Sequence, residues 1–256
     1  ELFDVSNKAV VVTGGSRGIG LMIARGFVQG GARVYISSRK ADACDAAAAE
    51  LGKDGECVSV PADLTTPEGA RHLADTVAER EPALHVLVNN AGATWGAPLE
   101  EYPDSAFDKV FAINVKAVFN LTRLLLPQLR AAARPEDPAR VINIGSIDGI
   151  KAPAMESYAY GSSKAAVHML TRHLAHRLAD DNITVNAIAP GPFESKMMAF
   201  VLGDPAGREM VASSVPLKRI GRPDDMAGAA IFLASRAGSY LTGAVIPVDG
   251  GISTRG

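Results

Sequence analysis

Lys8–Ala24 reads KAVVVTGGSRGIGLMIA, and its three parts decide the fold. The β-branched run Lys8–Thr13 predicts a strand, Gly14–Gly20 a tight turn, and Leu21–Ala24 the first turns of a helix. That order brings a bending backbone against helical N–H groups whose partial positive charge favours an anion such as a pyrophosphate. Residues without Cβ are needed where the chain turns sharply and where the phosphates approach, and Gly14, Gly18 and Gly20 fit those places, with Ser16, Arg17 and Ile19 between them. The spacing is Gly-x3-Gly-x-Gly rather than the common Gly-x-Gly-x-x-Gly, so the flanking strand and helix carry the inference.

A second strand, Arg33–Ser38 (RVYISS), follows the helix. Its C-terminal end is where a carboxylate would hold the adenosine ribose 2′-hydroxyl of NAD. Here Ser37, Ser38, Arg39 and Lys40 stand instead, and cations without a nearby carboxylate match a 2′-phosphate better. Arg17 is placed to close on that phosphate from the glycine turn. The expected cofactor is therefore NADP(H); the alternative is that Arg39 and Lys40 open a solvated helix.

Far along the chain, Tyr160-Gly161-Ser162-Ser163-Lys164 puts a phenol and an ammonium on one helix face. A lysine held charged beside the phenol stabilises the phenolate and brings the tyrosine pKa down from about 10 toward the working range of an acid catalyst. Such a pair also occurs on ordinary surface helices. The glycine turn is what gives it weight.

Together these motifs resemble the short-chain dehydrogenase/reductase family, and the likeness spans essentially the whole chain. Thr13–Gly20 matches the family's Thr-Gly-x3-Gly-x-Gly, and Asp63-Leu64 stands where the family has an aspartate near the adenine. Asn89-Asn90-Ala91-Gly92 follows a predicted fourth strand, Leu84–Val88. Asn114, in Ile113-Asn114-Val115, is similar to the family's helix-bending catalytic asparagine. Ser146 ends the predicted strand Arg140–Ile144, and Pro190-Gly191 follows the predicted strand Ile183–Ile188. Two departures stand out: Ser146 and Tyr160 are 14 residues apart, one more than in many members, and Ser195 replaces the usual threonine after Pro-Gly.

The resemblance implies one doubly wound Rossmann domain over residues 1–256, with a seven-stranded parallel sheet in the order 3-2-1-4-5-6-7 and helices on both faces. Alternation of strand-like and helical runs, ending with a strand at Ala244–Val248, points the same way. It also implies a tetrad: Tyr160 as proton donor, Ser146 on the carbonyl oxygen, Lys164 on the cofactor ribose, and Asn114 linking Lys164 to solvent through its backbone carbonyl. Asn90, Ala91, Gly92, Pro190, Gly191 and Ser195 complete the expected cofactor contacts. The implied reaction is NADPH-dependent reduction of a ketone, as in 3-ketoacyl reductases, including those associated with rhamnolipid precursors. A sugar or polyol dehydrogenase is the alternative, and a non-catalytic NADP-sensing protein would lack part of the tetrad.

Composition narrows the partners. The chain has 256 residues and a net charge of −2 with both signs interspersed, which gives no footprint for nucleic acid or a membrane surface. Cys44 and Cys57 are expected reduced, no apolar run reaches the roughly 20 residues of a membrane span, and Glu1–Asp4 has no signal-peptide pattern, so a cytoplasmic location is expected. The polar stretch Arg134–Arg140 reads as a loop before a strand. His168, His173 and His176 share a predicted helix; His173, His176 and Asp180 have a possible ligand spacing, yet the tetrad needs no metal, and the three histidines are expected on an exposed or interfacial surface.

Between Gly191 and Pro216, the residues Phe193, Met197, Met198, Phe200, Val201 and Leu202 form an apolar cluster suited to an adaptable lid over an acyl chain, or to ordinary helix packing. Trp95 is expected to wall the same cleft, while Asp148 and Glu156 offer carboxylates to polyol hydroxyls. The helix Asp224–Ala234 and the last strand with Asp249-Gly250-Gly251 resemble tetramer-forming elements, so a homotetramer is expected.

Overall fold

The computed structural model describes residues 2–195 and 198–254, apart from the side chain of Phe200. Seven strands form one parallel sheet in the order β3-β2-β1-β4-β5-β6-β7. They are β1 (Ala9–Thr13), β2 (Arg33–Ser37), β3 (Glu56–Ser59), β4 (Val86–Asn89), β5 (Ala139–Ile144), β6 (Ile183–Pro190) and β7 (Val245–Val248). Between them run α1 (Gly18–Gln29), α2 (Ala41–Leu51), α3 (Pro67–Arg80), α4 (Asp104–Phe111), α5 (Ala117–Leu124), α6 (Leu126–Ala132), α7 (Tyr158–Leu178), α8 (Ala199–Leu202), α9 (Pro205–Ser214) and α10 (Pro223–Ala234).

The central strands are apolar throughout because both faces are covered. In β1 the period-2 alternation sends Val10 and Val12 to one core and Ala9 and Val11 to the other. The first core takes Phe27 from α1, Leu51 from α2 and Met226 from α10; the second takes Leu73 from α3, Leu121 from α5 and Leu178 from α7. Each such side chain contributes about 1.5–3 kcal/mol when fully buried, which is what fixes the helices against the sheet.

The boundaries refine the sequence reading. β4 begins at Val86 and reaches Asn89, which pairs with Asn143. β6 runs on to Pro190 because β7 still pairs with it there, Pro190 opposite Val248. Arg134–Arg140 is a loop whose last residues, Ala139 and Arg140, already belong to β5; Asp137 within it pairs with Lys8 at 2.5 Å and with Arg140 at 2.7 Å. Among the described residues no single helix is long and apolar enough to cross a membrane.

Candidate active site

Order reverses between β1 and β4, and at that switch the C-terminal strand ends open a cleft of about 750 Å³. Gly14 after β1, Asn90 after β4, Ser146 after β5 and Gly191 after β6 all line it. The sequence motifs thus meet in space because each directly follows a parallel strand.

Glycine is required at two points of the turn. Gly14 has φ +64°, and a Cβ there would stand 2.7 Å from Asn90 Nδ2. At Gly20 a Cβ would lie 2.2 Å from the Gly14 carbonyl oxygen, because α1 packs directly onto the turn. Thr13 ties turn and fourth strand together: its Oγ1 accepts the N–H groups of Asn90 and Ala91, both at 2.9 Å, while Asn90 Nδ2 donates to the Thr13 carbonyl at 2.9 Å. Gly14, Ser16, Arg17, Gly18 and Ile19 face the cleft; Gly20 supports it from behind.

Ser38, Arg39 and Lys40, after β2, line the cleft, and so does Arg17. Of the Asp63-Leu64 pair, Leu64 reaches the cleft. Asp63 instead accepts from the Thr65 hydroxyl at 2.7 Å and the Thr65 N–H at 3.0 Å, bonds that hold its carboxyl below the usual range.

Ser146, Tyr160 and Lys164 line the same cleft. Lys164 is buried, donates to the Ile144 carbonyl at 2.8 Å, and stands 5.5 Å from the centroid of the Tyr160 ring. Burial pushes Lys164 down to about 8 and Tyr160 up to about 12, with Ser146 hydrogen-bonding the phenol and working against the rise. In this geometry desolvation raises the phenol, with the Ser146 hydrogen bond opposing it and Lys164 bonded to a backbone carbonyl. Ser146 Oγ accepts the Asp148 N–H at 3.1 Å, which leaves its own proton to donate.

Asn114 lies in a π-helical turn, Ala112–Lys116, joining α4 to α5. Its side chain is consumed by structure: Oδ1 accepts the Ala93 N–H at 2.8 Å, and Nδ2 donates to the Ala93 carbonyl at 3.0 Å and to Ser163 Oγ at 2.9 Å. Pro190 at the end of β6, Gly191 and Ser195 beyond it, and Ala91 and Gly92 after β4 all line the cleft.

Several expectations are corrected. Trp95 does not line the cleft, although Thr94, Gly96 and Lys109 do; it is 43% exposed, with Lys109 Nζ 5.9 Å from its ring centroid. Glu156 also points outward, accepting from the Tyr158 hydroxyl, whereas Asp148 lines the cleft and its carboxyl is raised by burial. His168 is buried against the turn at Gly145, not on the surface with the exposed His173 and His176. Among the described residues no group of three His, Cys, Asp or Glu side chains converges as a metal site would. In the lid segment, Phe193 and Leu202 are buried, Met198 borders the cleft, Val201 is half-buried, and Met197 and the Phe200 side chain lie outside what is described.

Sequence reasoning missed the chain Thr122–Asn89–Asn143–Thr171, in which Asn89 Nδ2 donates to Thr122 Oγ1 at 3.2 Å and to Asn143 Oδ1 at 2.9 Å, and Asn143 Nδ2 to Thr171 Oγ1 at 2.9 Å. It fixes α5 and α7 to the strands that carry the site. Polar residues inside apolar runs were the available signal.

Comparison with known proteins agrees with this geometry. The sequence model of a family described as Enoyl-(Acyl carrier protein) reductase matches residues 14–253. The chain is 51% identical over 97% of its length, and 97% of the relative's, to a rhamnolipid-biosynthesis 3-oxoacyl-(acyl-carrier-protein) reductase of Pseudomonas aeruginosa. It is 37% identical to a galactitol 2-dehydrogenase of Cereibacter sphaeroides over 98% of this chain and 96% of that one. Among solved structures, the Pseudomonas aeruginosa RhlG/NADP active-site complex superposes with a TM-score of 0.96 at 50% identity over 98% of both chains. The strand order, the glycine turn and the Ser146, Tyr160 and Lys164 cluster, with this likeness over nearly the full length, show that the chain belongs to the short-chain dehydrogenase/reductase family of oxidoreductases.

Proposed function

We propose that this protein reduces a ketone to an alcohol with NADPH, and that the ketone is a 3-oxoacyl thioester. One observation carries the reading: a serine, a tyrosine and a lysine line the same cleft as Arg17, Arg39 and Lys40. The dinucleotide fits what is there, since a Cβ-free cradle follows β1 and cations stand where a 2′-phosphate needs them. Gly14, Ser16, Gly18 and Ile19 would hold the pyrophosphate, with Gly20 behind them. Ser38 and the cations would hold the 2′-phosphate, and Leu64 and Ala91 the adenine, with Asp63 keeping Leu64 in place. Asn90, Gly92 and Lys164 would hold the ribose beside the reacting end, and Pro190, Gly191 and Ser195 the nicotinamide.

When bound, NADPH supplies the hydride. The chain supplies orientation and the proton. Ser146 donates its O–H to the carbonyl oxygen, preorganised by the Asp148 N–H on its other side. Tyr160 donates a proton to that oxygen as negative charge builds, and Lys164, bonded to the Ile144 carbonyl, keeps further N–H groups for the ribose. Asn114 holds the π-turn in place, and its backbone carbonyl provides the route by which Lys164 and Tyr160 regain a proton from solvent.

Support for an acyl substrate comes from the apolar flank formed by Ile113, Met155, Phe193, Met198, Val211 and Ile252, and from the 51% identical 3-oxoacyl reductase. Asp148 in the cleft and the galactitol and gluconate dehydrogenases among the relatives favour a second reading, a sugar or polyol substrate. NADPH oxidation with a 3-oxobutyryl thioester beside 5-ketogluconate and tagatose separates the two: turnover of the thioester supports the first, turnover of the sugars alone the second. A homotetramer is supported by the exposed Phe107, Phe119 and Met169 on α4, α5 and α7 and by the open edge of β7; light scattering giving a monomer at micromolar concentration would sink it. Free Cys44 and Cys57 accord with a cytoplasmic location.

A further inference from the structure

His168 lies one turn after Lys164 on α7 and is 4% exposed, beneath the turn that carries Ser146. Its Nε2 accepts the Ser146 N–H at 3.4 Å, and the ring also bonds the Gly149 backbone. Accepting at Nε2 requires that nitrogen to be unprotonated, and burial holds the imidazole pKa down, which favours the neutral ring. The turn is shaped around this ring. A Cβ at Gly145 would lie 2.1 Å from His168 Nε2, and one at Gly149 would lie 2.8 Å from His168 Cε1. Neither glycine has positive φ; space for the imidazole is what excludes a side chain at Gly145, while at Gly149 the α7 backbone at Lys164 and Ala165, each 2.7 Å away, excludes it together with the ring.

The turn has other anchors. Gly145 N–H donates to the Ile188 carbonyl at 2.7 Å, the Asp148 N–H to Ser146 Oγ at 3.1 Å and the Gly149 N–H to the Ser146 carbonyl at 3.0 Å, and the Ile150 and Lys151 N–H groups close on the Ile147 carbonyl. The bond at 3.4 Å is long and weak by itself. Restraint comes instead from a rigid ring that bonds residues 146 and 149 at once and fills the gap left by two glycines.

We infer that His168 is a positioning residue for reduction: its imidazole, wedged between Gly145 and Gly149, holds the turn so that the Ser146 hydroxyl points at the carbonyl oxygen that Tyr160 protonates. The inference rests on the proposed roles of Ser146 and Tyr160. A shift of about 1 Å in such a donor costs on the order of 10²-fold in rate, so the effect belongs in kcat rather than in cofactor binding.

The test is steady-state reduction of the best ketone from the substrate panel by wild type, Tyr160→Phe, His168→Ala, His168→Gln, Gly145→Ala and the Gly145→Ala/His168→Ala double variant. NADPH affinity by fluorescence titration and thermal melting accompany each. We expect His168→Ala and Gly145→Ala each to lower kcat by about 10–100-fold with NADPH affinity within about twofold of wild type. His168→Gln, whose amide can accept from Ser146, should recover at least about tenfold of that loss. Because Gly145→Ala acts through the ring, the double variant should match His168→Ala alone instead of multiplying the two losses. Near-wild-type kcat in His168→Ala overturns the inference. So do multiplicative losses, or equal losses in the alanine and glutamine variants that track melting temperature. Should Tyr160→Phe keep full activity, the reading of the site fails first, a result distinct from any produced by the His168 variants.

Discussion

Replacing Asn114 with leucine should destabilise the protein strongly although the two side chains are close in size. The Asn114 carboxamide is 1% exposed and makes three hydrogen bonds, two of them to the backbone N–H and C=O of Ala93. Leucine satisfies neither. Each buried backbone group left without a partner costs about 1–3 kcal/mol, which gives about 2–6 kcal/mol for the pair. Ser163 loses a donor too but keeps its own bond to the Tyr160 carbonyl at 2.7 Å, so it adds little. Ala93 borders the cleft, and water reaching it brings the expected loss to the lower half, about 2–4 kcal/mol. Urea unfolding at fixed protein concentration, followed by circular dichroism, reads this as a lower midpoint with unchanged slope. A leucine variant within about 0.5 kcal/mol of wild type would refute the claim that this side chain is structural and that its catalytic contribution lies in the backbone of the π-turn.

Arg39→Asp removes a cation and adds an anion where the 2′-phosphate is expected, so NADPH binding should weaken by at least about 10²-fold while NADH changes little; equal losses would remove the phosphate role. Burial holds His168 down at about 4, against 6.5 for a free imidazole, and lowers His85 as well, so the unfolded chain binds more protons between those values. The stability the two rings contribute should accordingly be full above pH 6.5 and fall as pH drops from 6.5 toward 4, and a urea midpoint that stays level over that window contradicts the burial of both rings. Arg140→Met removes the bond to the Ser235 carbonyl at 2.9 Å, which then keeps only the Gly238 N–H at 3.2 Å, while Asp137 keeps Lys8; a loss of about 0.5–1.5 kcal/mol in the same unfolding assay is expected, and none would mean that the guanidinium is dispensable. Gly20→Ala places a methyl 2.2 Å from the Gly14 carbonyl oxygen, so cofactor titration should show weakened NADPH binding, and unaltered affinity would show that the turn can move aside.

Much of the architecture was readable because parallel strands covered on both faces are continuous apolar runs, and β1, β2 and β5 each end at a motif. The site was readable for the same reason: residues directly after a parallel strand have little freedom but to line the switch-point cleft, as Gly14, Ser146 and Gly191 do. What escaped was direction. Nothing local in the chain says that Trp95 stays out of the cleft lining or that His168 turns inward, and for His168 the neighbour that leaves room is Gly145, 23 residues earlier. The helix bend at Asn114 was legible through the family resemblance and not from the residues themselves, because a π-turn has the same residue pattern as the α-helix on either side of it. The phenol's pKa went the other way from the simple Tyr-x3-Lys argument because spacing reports proximity and says nothing of burial.

The most direct test of the account follows NADPH absorbance with a 3-oxoacyl thioester for wild type and Tyr160→Phe, with NADPH affinity measured in both. Removing one hydroxyl from a proton donor that acts only in the transition state should lower kcat by about 10²–10⁴-fold and leave NADPH binding intact. If the phenylalanine variant reduces the thioester at the wild-type rate, Tyr160 is not the acid and the account of this cleft is wrong.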